Sequence, residues 1–249
     1  MVKITSTSNQ LVQKVRSLKD KEARNLLNQF ILEGENIVKD TESSLVDYLF
    51  VEQSKIDDYK YILEKYPQDT VFEVPSKVMD VLSDTKTPSG ILAVAKKPQV
   101  KAPNGESVVV LDGVSDPGNM GTIIRTCVAC GVKDIYAINT VDAFSPKVVR
   151  STMGGIFEVN IIPTTYEELL TKLQGYDLLT LDMNGKDIFR ENIVKKPFAL
   201  IVGSEAHGVS KILKEKCTQI LSLPMVGKIE SLNAAVSLSV ALYTLTFSK

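Results

Sequence analysis

Apolar residues along this chain alternate between two rhythms, short continuous runs and a three-to-four residue spacing. Leu11, Val12, Val15 and Leu18 keep the second spacing, which places them on one face of a helix that Ser8-Asn9 can cap. Runs at 30–32, 48–51, 71–74 and 91–95 read as strands, and helices fit between them near 36–43, 55–65 and 76–82. The alternation resumes further on. Strands are expected near 108–112, 134–138, 158–162, 177–182, 198–202 and 219–223, with helices near 119–130, 146–153, 166–174, 210–216 and 231–247. Val108-Val109-Val110-Leu111 is apolar at every position, so both faces of that strand are buried, as in a parallel sheet covered on both sides. The fold class is α/β throughout.

Glycine divides the chain. Gly34 and Gly90 are the only glycines in the first 104 residues, and the shift coincides with the Pro-bearing polar stretch from Lys97 to Gly105. The expected organisation is a first domain over 1–97, a linker over 98–105 and a second domain over 106–249. About 100 residues of α/β sandwich suffice for an independent core.

Charge and cysteine content narrow the function classes. The formal net charge of −1 gives no global signal for nucleic acid, but residues 1–24 carry Lys3, Lys14, Arg16, Lys19, Lys21 and Arg24 against Asp20 and Glu22. Such a local basic face suits phosphates, and a solvated helix face accounts for it equally well from charge alone. No apolar run reaches the roughly 18 residues that cross a bilayer, and the N-terminus lacks a signal-peptide core, so a cytoplasmic protein without a membrane role is expected. Cys127-x-x-Cys130 sits in an apolar helical run with no second Cys pair and only one His in the chain, so the cysteines read as small buried hydrophobes and no metal is assigned.

Three polar, Gly-bearing segments each follow a strand. They are Asp116-Pro117-Gly118-Asn119-Met120-Gly121-Thr122-Ile123-Ile124-Arg125-Thr126, Gly203-Ser204-Glu205-Ala206-His207-Gly208, and the stretch from Leu223-Pro224-Met225-Val226-Gly227 to Ser231-Leu232-Asn233. Loops at the carboxyl ends of strands are where an open α/β sheet builds a ligand pocket. Familiar alternatives fail. There is no Gly-x-Gly-x-x-Gly after a strand, no P-loop Lys near Gly203, and no Gly-x-Ser-x-Gly elbow, while His207 stands alone. Arg125, about two turns into a helix opening at Asn119, has the fork geometry that suits phosphate oxygens.

In order and spacing, the three segments resemble those of the SpoU (TrmH-type) RNA ribose methyltransferases of the SPOUT superfamily. Residues 116–126 follow the family's Asp-Pro-Gly-Asn-x-Gly-Thr-Ile-x-Arg-Thr, Gly203, Glu205 and Gly208 its Gly-x-Glu-x-x-Gly, and residues 223–233 its Ile-Pro-Met-x-Gly-x-x-x-Ser-Leu-Asn with Leu223 for Ile. The resemblance covers about residues 105–249. It implies a parallel-sheet SPOUT domain with a C-terminal trefoil knot, a homodimer through the knotted region, and S-adenosylmethionine as methyl donor. It further implies transfer to a ribose 2′-hydroxyl of RNA. By the same resemblance Arg125, Asn119, Glu205, Ser231 and Asn233 form the catalytic group, and Gly203, Leu223, Met225 and Leu232 line the cofactor site. Departures are small: Ser204-Glu205-Ala206 where Asn-Glu-Gly is common, and Ala234-Ala235 where Val-Ser is common.

Asn9, Arg24 and Phe30-Ile31-Leu32-Glu33-Gly34 resemble the ribosomal-protein-like RNA substrate-binding domain that precedes many SpoU catalytic domains. That addition favours ribosomal RNA, of the 23S type, as substrate. The alternatives are a tRNA 2′-O-methyltransferase and a non-catalytic RNA-binding ribosome-assembly protein. The intact set Asn119, Arg125, Glu205, Ser231 and Asn233 argues against a decayed site.

Overall fold

The structure, a computed structural model, describes residues 1–190, 197–229 and 231–247. Its packing separates residues 1–98 with 144–154 from residues 99–143 with 155–249.

The first unit holds β1 (Val2–Lys3), α1 (Gln10–Ser17), α2 (Lys21–Leu27), β2 (Gln29–Glu33), α3 (Glu35–Asp40), β3 (Val46–Glu52), α4 (Ile56–Leu63), β4 (Val71–Val74), α5 (Ser76–Leu82) and β5 (Ile91–Lys96). Its sheet runs β1-β4-β3-β5-β2, parallel through β3 and antiparallel beyond it. Val12, Val15 and Leu18 of the first helical stripe pack with Ile31, Phe50, Val78 and Met79 in one core. Asn9 caps α1, accepting the N–H of Leu11 at 2.9 Å.

Two basic residues of the N-terminal stretch turn out to be structural. Arg24 is 3% exposed, and its Nη1 donates to the carbonyls of Leu18 at 2.8 Å and Lys19 at 2.7 Å, closing the turn between α1 and α2. Lys19 donates from Nζ to the carbonyl of Val81 at 2.9 Å and to that of Ser83, and its burial holds its pKa below the usual lysine value. A charged group is costly to bury unless its donors are satisfied, and here carbonyls at helix ends satisfy them. Of the other four cations Lys3 pairs with Glu73 at 3.2 Å, and Lys14, Arg16 and Lys21 remain exposed or half-exposed, a smaller basic face than the sequence pattern predicts.

Residues 144–154 belong to this unit although they fall inside the stretch 106–249 expected to form the second domain. They carry α7 (Pro146–Thr152), with Val148 and Val149 fully buried. Arg150 donates to Glu33 at 2.8 Å and to Asp84 at 2.9 Å, and Phe144 packs edge-on against Phe30 at 5.1 Å between centroids. Glu33 also accepts from Thr85 Oγ1 at 2.8 Å and from Ser83 Oγ, so the carboxylate is satisfied from several sides.

The second unit holds β6 (Val108–Asp112), α6 (Pro117–Ala129), β7 (Asp134–Ile138), β8 (Asn160–Pro163), α8 (Tyr166–Lys172), β9 (Asp177–Asp187), β10 (Phe198–Gly203), α9 (Lys211–Lys214), β11 (Gln219–Ser222) and α10 (Ala234–Phe247). Its six strands run β11-β9-β10-β6-β7-β8, and every pairing is parallel. The central strands β6 and β10 are buried at every residue, as the unbroken apolar run requires.

Boundaries shift where caps decide them. α6 opens at Pro117 rather than Asn119, because Asp116 Oδ1 accepts the N–H of Asn119 at 2.8 Å and Pro117 lacks a donor to lose. α10 opens at Ala234 rather than Ser231, because Asn233 Oδ1 takes the N–H groups of Ala235 at 2.9 Å and Val236 at 3.2 Å. Cys127 on α6 and Cys130 at its C-terminal cap are buried as small hydrophobes.

Candidate functional site

Both expected Gly-bearing loops beyond β6 and β10 leave the carboxyl ends of neighbouring strands, with Gly203 paired to Asp112 in register. The loop after β10 is closed on itself. Ser204 N donates to the carbonyl of Gly208 at 3.1 Å and Gly208 N to that of Ser204 at 2.9 Å, while His207 N donates to Ser204 Oγ at 3.1 Å. So tight a closure brings the Gly208 backbone against Gly203, where a Cβ would stand 1.9 Å from Gly208 C. Only glycine fits.

This closure points Glu205 back toward α6. Its carboxylate accepts from Asn119 Nδ2 at 2.7 Å, Ser115 Oγ at 3.0 Å, and the backbone N–H groups of Ser115 and Asp116, each at 3.3 Å. Burial by itself would push the Glu205 pKa up, but the bonds from Asn119 and Ser115 outweigh it and hold the group down at about 2. Asn119 is buried, and its Oδ1 accepts from Asn233 Nδ2 at 2.8 Å. A single line, Glu205–Asn119–Asn233, thus ties together three segments that lie 86 and 114 residues apart.

Beside that line opens a cavity of about 620 Å³, within the roughly 300–1,000 Å³ of small-molecule sites. Gly203, Glu205, Leu223, Met225, Ser231, Leu232 and Asn233 all line it. The Ser231 hydroxyl makes no hydrogen bond among the described residues and faces the cavity from a coil, so it does not cap α10. Glu230, inside the same segment, lies outside the described residues.

Asn119 reaches the cavity through its two partners. Arg125 does not line it; the side chain is exposed on α6 and makes no ion pair or hydrogen bond among the described residues, with Asn119 and Glu205 included. His207 is exposed and stands off the cavity wall.

Leu181, Asp182 and Met183 also line the cavity, and no motif marks them. Their signal was positional: the strand expected over 177–182 ends at the carboxyl edge of the sheet beside β10. Among the described residues no group of three or more His, Cys, Asp or Glu side chains could hold a metal.

The cavity's chemistry suits a small organic ligand with an aromatic part and positive charge. Among the described residues, Leu181, Leu223, Met225, Ile229 and Leu232 offer apolar surface, Glu205 and Asp182 are its acidic groups, and no Lys or Arg lines it. Those features fit S-adenosylmethionine, whose sulfonium and ammonium outnumber its carboxylate.

Comparison with known proteins converges on one family. A family model described as the SpoU rRNA Methylase family matches residues 106–243, and one described as an MRM3-like substrate binding domain matches residues 9–93. The 23S rRNA (guanosine(2553)-2'-O)-methyltransferase RlmP of Bacillus subtilis is 32% identical over 98% of this chain and 99% of its own length. Among solved structures, the AdoMet-bound rRNA methyltransferase from Sinorhizobium meliloti superposes with a TM-score of 0.82 at 26% identity, covering 97% of this chain and 96% of its own. A TrmH-family RNA methyltransferase from Porphyromonas gingivalis gives the same TM-score at 28% identity, with 95% and 97% covered.

Proposed function

The chain belongs to the SpoU rRNA methylase family, and from that premise we propose that it transfers a methyl group from S-adenosylmethionine to a ribose 2′-hydroxyl of 23S-type ribosomal RNA in the cytoplasm. The observation that carries this reading is the Glu205–Asn119–Asn233 line beside the 620 Å³ cavity, which joins all three family segments at one place.

The donor supplies an activated methyl on a sulfonium, so the protein's work is placement and charge. Gly203, Leu223, Met225 and Leu232 form the cofactor wall, and Ser231 offers its free hydroxyl to the reacting groups. Glu205 is not the base. A carboxylate held at about 2 with four donors on it has little affinity for a further proton, so it anchors Asn119 and the loop instead. Arg125 positions the RNA and stabilises the negative charge that develops on the ribose O2′ as its proton leaves to solvent water, because a guanidinium stays protonated and cannot itself accept the proton.

Homodimerisation is part of the same proposal. Val236, Val240, Tyr243 and Phe247 leave an apolar stripe exposed along α10, and Tyr243 and Phe247 are 48% and 59% exposed. Such a stripe is costly in water and suits a second copy packed on it. The trefoil knot expected of the fold places this helix in the knotted region. The first unit, with Lys14, Arg16 and Lys21 exposed or half-exposed, is proposed to bind the RNA substrate, and 99–143 with 155–249 to carry the chemistry.

Isothermal titration with S-adenosylmethionine, then labelled methyl transfer to total ribosomal RNA, tests the reading. Binding with a ribose-methylated product is expected, and Arg125→Ala is expected to lose transfer while keeping cofactor affinity. Absence of cofactor binding would overturn the proposal.

A further inference from the structure

The cavity wall contributed by β9 has an unusual construction. β9 pairs with β10 up to Thr180, and β11 follows β9 through Ile220 opposite Thr180. The next residue of β11, Leu221, is paired with Lys186, so residues 181–185 bulge out of the ladder. At the far end of the bulge Gly185 presses on β11, where a Cβ would stand 2.4 Å from the Leu221 carbonyl carbon. The bulge is therefore pinned at both ends, and it turns Leu181, Asp182 and Met183 toward the cavity.

Asp182 is held within it. Its Oδ1 accepts the N–H of Asn184 at 3.0 Å, and its Oδ2 accepts from Lys214 Nζ, on α9, at 2.5 Å. These bonds use two of the roughly four lone-pair positions of a carboxylate. The side chain is 25% exposed, so the remaining positions look into a partly dry cavity rather than bulk water.

Among the described residues two carboxylates line the cavity, Glu205 and Asp182, and they are not equivalent. Glu205 is saturated by donors from Ser115, Asp116 and Asn119. Asp182 alone of the two has acceptor capacity left. Its pKa lies below the usual carboxylate value because of the hydrogen bond from Lys214 and that from the Asn184 backbone, so it is charged at neutral pH.

We propose that Asp182 recognises the cofactor directly, accepting a hydrogen bond from a donor of the bound S-adenosylmethionine, with Lys214 fixing the carboxylate's position from outside. The inference rests on the methyl-donor reading above and adds to it a residue outside the three family segments. Two donors share the required chemistry, the ribose diol and the α-ammonium group. Among the described residues the cavity is lined by no cation and by one available carboxylate, which also favours a net positive ligand over a phosphate-bearing nucleotide.

The test is isothermal titration of the full chain with S-adenosylhomocysteine and with 5′-methylthioadenosine, which keeps the ribose and lacks the amino-acid end. Asp182→Asn and Lys214→Met are compared with the wild type, and thermal unfolding confirms that each is folded. Asp182→Asn is expected to lose about tenfold in S-adenosylhomocysteine affinity, as when a charge-assisted bond becomes a neutral one. Lys214→Met, which breaks the same ion pair but keeps the carboxylate, is expected to stay within about threefold. A matching loss with methylthioadenosine assigns the ribose diol; a loss confined to S-adenosylhomocysteine assigns the ammonium. Unchanged affinity in Asp182→Asn overturns the inference. So does an equal loss in both variants, which would make the pair a brace for the bulge. A wild type that binds neither ligand defeats the methyl-donor reading itself, an outcome distinct from both.

Discussion

Gly203→Ala tests whether the closed loop after β10 shapes the cofactor cavity. A Cβ at Gly203 would lie 1.9 Å from Gly208 C and 2.1 Å from both Gly208 O and Val209 N, whereas ordinary contact begins near 3.4 Å. The obstacle is backbone, so no side-chain rotation relieves it; the chain has to move by about 1.5 Å. That displacement carries the Ser204–Gly208 pair, now at 3.1 and 2.9 Å, beyond hydrogen-bonding distance. Two bonds at about 1 kcal/mol each, with at least about 1 kcal/mol of overpacking, give roughly 3 kcal/mol. Since Gly203, Ser204 and Gly208 line the cavity, most of that cost falls on the ligand-competent loop and corresponds to about a hundredfold loss of affinity. Gly208→Ala is the graded control. Its Cβ meets nothing within 4 Å, but the residue sits at φ +67°, and a left-handed alanine costs about 1 kcal/mol, or roughly fivefold. Titration of both variants with S-adenosylhomocysteine, with circular dichroism to confirm an intact sheet, decides the matter. Gly203→Ala binding within threefold of wild type, or Gly208→Ala proving the more damaging, would show that the loop closure does not shape the cavity.

Other consequences follow from the same geometry. The Glu205 pKa of about 2 lies below its usual value, so its contribution is complete above about pH 4.5 and is lost as pH falls toward 2. Thermal stability of the wild type should therefore be level from pH 5 to 8 as far as Glu205 is concerned and decline below, and Glu205→Gln should be less stable at neutral pH with a shallower acid decline; identical acid profiles would contradict the anchor role. Neutralising Lys14, Arg16 and Lys21 together should weaken RNA binding and lower its logarithmic salt slope by about 2, read by filter binding at several salt concentrations. Lys19→Met and Arg24→Met, by contrast, should reduce thermal stability, because their donors are spent on carbonyls.

How much was legible in the chain follows from the range of the forces involved. Strand and helix positions were readable from the apolar rhythm because each element buries one face or two, and burial leaves a local period. The three loop segments were readable because backbone closures such as that at Gly203 tolerate a single residue type. What was not legible depends on partners far along the chain. Arg24 and Lys19 look like surface cations until the carbonyls that accept their protons are in place. Nothing near Val148 and Val149 reveals that their helix packs with the first unit, since their apolar spacing would serve any core.

The site divides along the same line. The chain alone carried the α/β class and the family resemblance, and through that resemblance it named Gly203, Glu205, Leu223, Met225, Ser231, Leu232 and Asn233, which the fold gathers round one cavity. Only the fold shows that Glu205 accepts from Asn119 and Ser115, that Asn119 links Glu205 to Asn233, and that Arg125 stands outside the cavity. It alone brought Asp182 and Lys214 together across 32 residues. A residue's type fixes which bonds it can make, but donors and acceptors become partners only when the sheet's strand order sets them within 3 Å of one another, and no local pattern encodes that distance.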